Sequence, residues 1–141
     1  DGAELRQANI TGANLEGAHL AESELSGADL TGAKLVAADL RATKISGAIL
    51  RDAFLDAAHM EDAAISKVDF SGASLRGATL SGASLEFSKG ALACLHHVVL
   101  CKATLLHVDL VSADFSGANL EGIQFRNVTL RGAVMVQASL R

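Results

Sequence analysis

The sequence SGADLTGAKLVAADL, residues 26–40, writes a five-residue unit three times, each with an alanine, a polar residue and a leucine in the same places. The frame continues along the chain. Every fifth position from Leu5 to Leu140 is large and apolar in 27 of 28 cases, and Gly90 is the exception. Alanine stands two residues before 20 of these 28 positions, so a small residue usually accompanies a large one.

A period of five residues fits neither an ordinary helix nor a flat strand. Around a helix, successive apolar residues would point in different directions and would leave no single buried face. Along a flat strand, residues five apart alternate between the two faces. The chain must therefore turn a corner once per unit. Twelve of the 13 glycines share one phase of the repeat, and 11 of them lie two residues after a large apolar position, where glycine would supply the permissive backbone of the corner.

Units such as ANLEG (13–17), ADLTG (28–32) and ANLEG (118–122) make the chain similar to the pentapeptide-repeat proteins. The resemblance covers essentially all 141 residues. It implies an all-β fold, a right-handed quadrilateral β-helix (a solenoid) of about seven coils with four pentapeptides each. Residues twenty apart would then stack on one another, and residues 1–141 would form a single domain.

Composition agrees with a narrow interior. Half of the residues are hydrophobic but only 4% are aromatic, as expected if leucine and alanine fill thin layers. No apolar run reaches the length of a membrane span, so we expect none. The sequence begins and ends in phase with the repeat, and we interpret it as part of a larger chain or assembly. The uncovered ends of the β-helix would expose unpaired backbone N–H and C=O groups, which favour self-association.

The repeat is irregular at residues 86–111. In the predicted stack Gly90 follows Phe70, so we expect the phenyl ring to lean into the gap that the missing side chain leaves. A cavity left by a lost leucine would otherwise cost a few kcal/mol. A locally repacked coil with no other purpose is one interpretation of this irregularity.

Outward positions in the same segment suggest a second interpretation, a protein-contact surface. They lose their glycines and carry apolar residues where the rest of the chain is mostly polar or small: Phe87, Leu92, Val99, Leu106 and Val111. Clustered exposed apolar residues are typical of interaction sites. We therefore expect a protein partner or self-association here, unless Phe87 or Leu92 turns inward.

The cysteines and histidines do not indicate a metal or a catalytic site. Cys94 and Cys101 fall on opposite sides of the predicted helix, beyond the reach of a disulfide, so we expect free thiols and a reducing, cytoplasmic compartment. No CxxC pair accompanies them. The chain has no nucleophile elbow, no HExxH and no phosphate-binding loop. We expect no cofactor, no metal and no enzymatic activity.

Two functions remain open. One is a rigid protein-protein interaction scaffold that binds through the 87–111 segment. The other follows from the resemblance, since some pentapeptide-repeat proteins imitate the DNA duplex and bind DNA gyrase or topoisomerase IV.

Charge bears on the choice. Residues 1–62 hold 11 acids and 5 bases, whereas residues 63–141 hold 5 acids and 7 bases. The candidate acidic surface, interrupted by Arg41 and Lys44, comprises Glu4, Glu22, Glu24, Glu61 and Asp62. Because only the first half is acidic, we favour the scaffold, without direct binding of nucleic acid.

Overall fold

Five short strands, stacked in chain order, form a parallel sheet along one side of the molecule. The computed structural model describes residues 1–140. Its strands are β1 (Lys44–Ser46), β2 (Ala64–Ser66), β3 (Ser84–Glu86), β4 (Thr104–Leu106) and β5 (Gln124–Arg126). Ile45 of β1 lies beside Ile65 of β2, so the pairing step is twenty residues, or four of the five-residue units.

Isolated parallel bridges carry the same step around the other sides and towards both ends. They run from Glu4 beside Glu24 to Asn119 beside Ser139, always between residues twenty apart. Residues 1–140 contain no helix, and hence none that could cross a membrane. The fold is an all-β parallel β-solenoid, which confirms the predicted fold class. The continuous sheet spans about four turns rather than the expected seven coils, because single bridges join the outer layers.

A left-handed backbone conformation marks each corner of the solenoid. Every fifth residue from Gly2 to Gln137 has a positive φ, at 12 glycines and 16 other residues. The residue after the corner often donates a backbone hydrogen bond to the residue three positions before it and so forms a turn. For example, the N–H of Ala8 donates to the carbonyl of Leu5 at 3.2 Å. A positive φ at the third residue of such a turn defines type II. The glycine preference at this position follows from that geometry.

The polar residue before each leucine often holds the next corner. Oδ1 of Asn9 accepts the N–H of Thr11 at 3.1 Å, and Oδ1 of Asp29 accepts that of Thr31 at 3.0 Å. A short Asp or Asn side chain can reach a backbone N–H two residues ahead, whereas longer side chains cannot do so as easily. This contact explains why the repeat favours Asp or Asn at a position that faces solvent.

The interior is a stack of large and small apolar side chains. Leu25, Leu30 and Leu35 are buried beside Ala28 and Ala33, and the pattern repeats layer after layer. Burying a leucine side chain contributes roughly 1.5–3 kcal/mol. Within residues 1–140 the three buried polar residues are Ser23, Thr43 and Ser88, and each of their hydroxyls makes a hydrogen bond. The core therefore accepts a hydroxyl only where the backbone offers a partner.

Candidate contact surface

At Gly90 the large apolar column is interrupted, and the ring of Phe70 fills the gap. A Cβ added to Gly90 would overlap Cε2 and Cζ of Phe70. The φ of Gly90 is not positive, unlike that of the corner glycines. Its missing side chain therefore gives room to a neighbour and does not serve the backbone. Phe70 is buried, as the sequence predicts from the twenty-residue stack.

The small column beside Gly90 is also changed. Ser88 is buried, and its Oγ accepts the N–H of Val68 at 3.1 Å and donates to the carbonyl of Glu86 at 2.9 Å. Val68 and Val108, which replace alanine in the layers on either side, are buried as well. Local repacking accounts for the inside of this layer. This repacking does not explain why the outward positions of the same segment carry apolar residues.

The corners around this layer carry side chains where glycine would be less strained. Six successive corners lack glycine and have φ between 51° and 61°: Phe87, Leu92, His97, Lys102, His107 and Ser112. Left-handed conformation costs a residue with a Cβ roughly 1–2 kcal/mol, and it is unusual for bulky residues. Strained residues of this kind cluster at functional sites. This run is the longest series of corners without glycine and includes Phe87 and Leu92, while the ten other such corners lie outside it.

The five residues of the predicted contact surface all lie at outward positions. Leu92 is 71% exposed and Phe87 is 54% exposed. Val99, Leu106 and Val111 are half-buried. Neither Phe87 nor Leu92 turns inward to refill the layer of Gly90, because Phe70 occupies that space. The open question about their direction is therefore answered in favour of the outside.

Four of these residues border one side of the solenoid. Phe87 and Leu106 lie at the corner where this side begins, and Leu92 and Val111 lie at the corner where it ends. Val99 belongs to a different side, in the bridge column of Thr79 and Asn119. We call Phe87, Leu92, Leu106, Val111 and His107 the two-edge patch.

His107 belongs to the patch although the sequence interpretation did not include it. Its imidazole stacks on the ring of Phe87, with centroids 4.9 Å apart and an angle of 11° between the planes. Nε2 of His107 also lies 3.4 Å from Nδ2 of Asn127. The spacing of twenty residues between Phe87 and His107 is the signal that could have identified this contact.

The two cysteines are free and lie on different sides of the solenoid. Sγ of Cys94 accepts a hydrogen bond from Nε of Arg76 at 3.2 Å. Nearby, Nε2 of His96 lies 2.6 Å from a carboxylate oxygen of Asp114. Within residues 1–140 no three His, Cys, Asp or Glu side chains are arranged to hold a metal ion.

The candidate acidic surface is partly neutralised by arginine. Arg6 lies 3.7 Å from Glu4 and 3.4 Å from Glu24. The hydroxyl of Ser26, more than Arg6, lowers the pKa of Glu24 below its usual value. Oε1 of Glu61 accepts the hydroxyl of Thr79 at 2.7 Å. Glu22 and Asp62 share this side of the solenoid, but Lys44 lies directly beside Glu24 in the stack.

Comparison with known proteins identifies the family. Eight copies of the family described as pentapeptide repeats match the sequence, over residues 1–35, 33–72, 55–89, 69–105, 93–132 and 109–141. The chain therefore belongs to the pentapeptide-repeat family, as its resemblance to that family indicates. Among curated proteins, none matches the sequence.

Solved structures share the fold. HetL, a pentapeptide-repeat protein involved in heterocyst differentiation regulation in the cyanobacterium Nostoc sp. strain PCC 7120, is 24% identical with a TM-score of 0.51. The match covers 99% of this chain and 77% of HetL. QnrB1, a plasmid-mediated fluoroquinolone resistance protein, is 14% identical with a TM-score of 0.56, over 99% of this chain and 92% of QnrB1. These identities are low, and the likeness is one of fold.

Proposed function

We propose that this chain is a non-enzymatic, rigid protein-protein interaction scaffold, within a larger chain or assembly, and that it binds its partner through the two-edge patch. The observation that carries the proposal is Leu92. This side chain is 71% exposed and sits on a left-handed backbone. The leucine side chain gains little free energy from burial, and it strains the left-handed backbone more than glycine would at the same corner. We therefore infer that it contacts a partner outside the chain.

The patch offers enough apolar surface for useful binding. Burying two or three such side chains in a partner would contribute roughly 1.5–3 kcal/mol each. Only part of that remains after the loss of translational and rotational freedom on association. A rigid solenoid loses little conformational entropy when it binds a partner, because backbone hydrogen bonds to neighbouring layers already fix its corners.

The test replaces Leu92, Leu106 and Val111 together with serine. We expect the melting temperature of this variant to change little. Its capture of the partner from an extract of the source organism should be lost. Phe54→Ser is the matched control, because Phe54 is 47% exposed and lies outside the patch. Undiminished capture by the triple variant would contradict the proposal. A large fall in the melting temperature would show that these side chains support the fold instead of forming a contact surface.

The acidic first half supports a second candidate, a DNA-mimicking binder of DNA gyrase or topoisomerase IV. Residues 1–62 carry 11 acids against 5 bases, and a mimic needs carboxylates facing a basic groove. Residues 63–141, with 5 acids and 7 bases, would be repelled by the same groove. We therefore expect no effect in a gyrase supercoiling assay at micromolar protein. Inhibition that is abolished by reversing Glu22, Glu24 and Glu61 would favour this candidate instead.

A further inference from the structure

Four exposed cations surround the two-edge patch. Lys67 precedes Phe87 by twenty residues at the same corner, and Lys89 lies on the side between the two edges. Arg126 and Arg131 follow Leu106 and Val111 by twenty residues. Within residues 1–140 none of these four side chains takes part in a salt bridge, whereas Arg6, Arg41 and Arg51 all do. These cations therefore form no ion pair within the chain, although Lys89 lies between Asp69 and Asp109 in its column of the stack.

The carboxylates on the same side of the solenoid do not balance these cations. Asp69 is bound to Nε of Arg51 at 2.7 Å. Oδ1 of Asp109 accepts the N–H of Val111 at 3.1 Å, so this carboxylate is partly committed to holding the corner. Glu86 accepts the hydroxyl of Ser84 at 3.2 Å. Asp52 adds a third carboxylate at the corner of Leu92, where it reaches over Gly72. Setting aside the paired Asp69, three carboxylates face four cations, so the surroundings of the patch keep a small excess of positive charge.

From this arrangement we infer that the occupant of the two-edge patch is an acidic protein segment with apolar anchor side chains. The inference rests on the proposed function and names the chemistry of the partner. The anchors contact Phe87 and Leu92 at the two edges, and the carboxylates of the segment face Lys67, Lys89 and the two arginines. Charges at the rim of an interface mainly select the partner and speed its association, while the apolar centre supplies most of the affinity.

The apolar residues distinguish such a segment from a nucleic acid, which would also be attracted to cations. Leu92, Leu106 and Val111 offer aliphatic surface and no hydrogen bonds to phosphate. The ring of Phe87 has one face covered by His107, which leaves less of it for stacking with a base. A binding surface for single strands would instead present free aromatic faces along a basic groove.

The experiment selects binders from a random dodecapeptide library displayed on phage, with the intact chain as bait. A counter-selection step on the Leu92→Ser variant removes peptides that bind elsewhere on the chain. We expect the enriched peptides to combine Asp or Glu with two large apolar residues. The most enriched peptide is then synthesised, and its affinity is measured by fluorescence anisotropy for the chain and its variants.

Charge reversal provides the decisive comparison. The double variant Lys67→Glu with Lys89→Glu should bind the selected peptide roughly tenfold more weakly at low salt, and the difference should shrink as salt screens the charges. The matched control is Lys34→Glu with Lys44→Glu, because these lysines are exposed but lie in the first half of the chain. This control should leave the affinity unchanged.

Several results would overturn the inference: enriched peptides that are neutral or basic, no enrichment over Leu92→Ser, or equal loss of affinity in both double variants. Binding of oligothymidine that competes with the selected peptide at equal strength would mean that the site recognises polyanions in general. The inference and the proposed function can fail separately. If the serine variants lose the natural partner while the selected peptides carry no acid, only the acidic character of the partner is wrong.

Discussion

The ring of Phe70 occupies the space in which the side chain of Gly90 would lie, one layer further along the solenoid. One residue is larger than the leucine of the regular column, and the other has no side chain. The two substitutions compensate each other across twenty residues of sequence. Replacing either residue should therefore cost less stability when the other is replaced as well.

We predict that Gly90→Ala lowers the free energy of unfolding by about 1–3 kcal/mol, because the added methyl overlaps the ring of Phe70 in a packed interior. Phe70→Leu alone should cost about 1–2 kcal/mol through the gap it leaves. The double variant should cost clearly less than the sum of the two. Urea unfolding of the three variants measures this coupling.

Gly77→Ala is the control for the Gly90 cycle. An added Cβ at Gly77 meets no atom within 4 Å, but its φ of 62° makes alanine strained there. Its cost should be about 1 kcal/mol and should not change when Phe70→Leu is added. Additive costs for Gly90→Ala and Phe70→Leu would mean that the two positions do not compensate each other.

The fold could be predicted almost completely, because one short-range pattern repeats along the chain. A leucine at every fifth position has a single solution, a chain that turns a corner in each unit. The stacking of Phe70 against Gly90 follows from the step of twenty residues, which the resemblance to the pentapeptide-repeat family implies. Side-chain contacts at the surface are less predictable. Arg51 binds Asp69 eighteen residues on, and that depends on rotamers which the repeat does not determine.

The contact surface could be predicted in part. The loss of glycine at the corners identified Phe87 and Leu92, but Val99 lies on another side from the rest of the patch. His107 was left out because the pattern classifies it as polar, although its ring packs on Phe87. The compartment and the single-domain organisation stay predictions, as does binding to a protein partner or to a second copy of the chain.

Leu92→Gly should separate stability from binding. Glycine relieves the left-handed strain at this corner, worth roughly 1–2 kcal/mol, and loses part of that through the greater freedom of the unfolded chain. We expect a net gain of about 0.5–1 kcal/mol in the free energy of unfolding. The same variant should bind the partner more weakly, since it removes the most exposed large apolar side chain of the patch.

Ala57→Gly makes the same backbone change away from the patch, at a φ of 55°. It should stabilise the chain to a similar extent and leave binding intact. Chemical denaturation and the capture assay, applied to both variants, provide the comparison. Lower stability of Leu92→Gly would show that the leucine supports the fold, and unchanged capture would remove it from the binding surface.

The carboxylate of Asp114 should make the stability of the fold depend on acidity. The hydroxyl of Ser116 and then the imidazole of His96 lower the pKa of Asp114 from 3.8 to about 2. A carboxylate with a lowered pKa stabilises the folded state above its unfolded pKa, and this contribution is lost as the pH falls through the folded value. Asp114→Asn keeps an oxygen for the N–H of Ser116, which Asp114 accepts at 2.9 Å, but removes the charge.

The difference in urea midpoint between the wild-type chain and Asp114→Asn should therefore be largest above about pH 4 and should shrink towards pH 2. Asn119→Ala is the control, because Asn119 caps its corner without charge, accepting the N–H of Glu121 at 3.1 Å. Its cost should not vary over this range. An Asp114→Asn difference that is the same at both ends of the range would mean that the charge of Asp114 contributes nothing, and that its role is the uncharged cap alone.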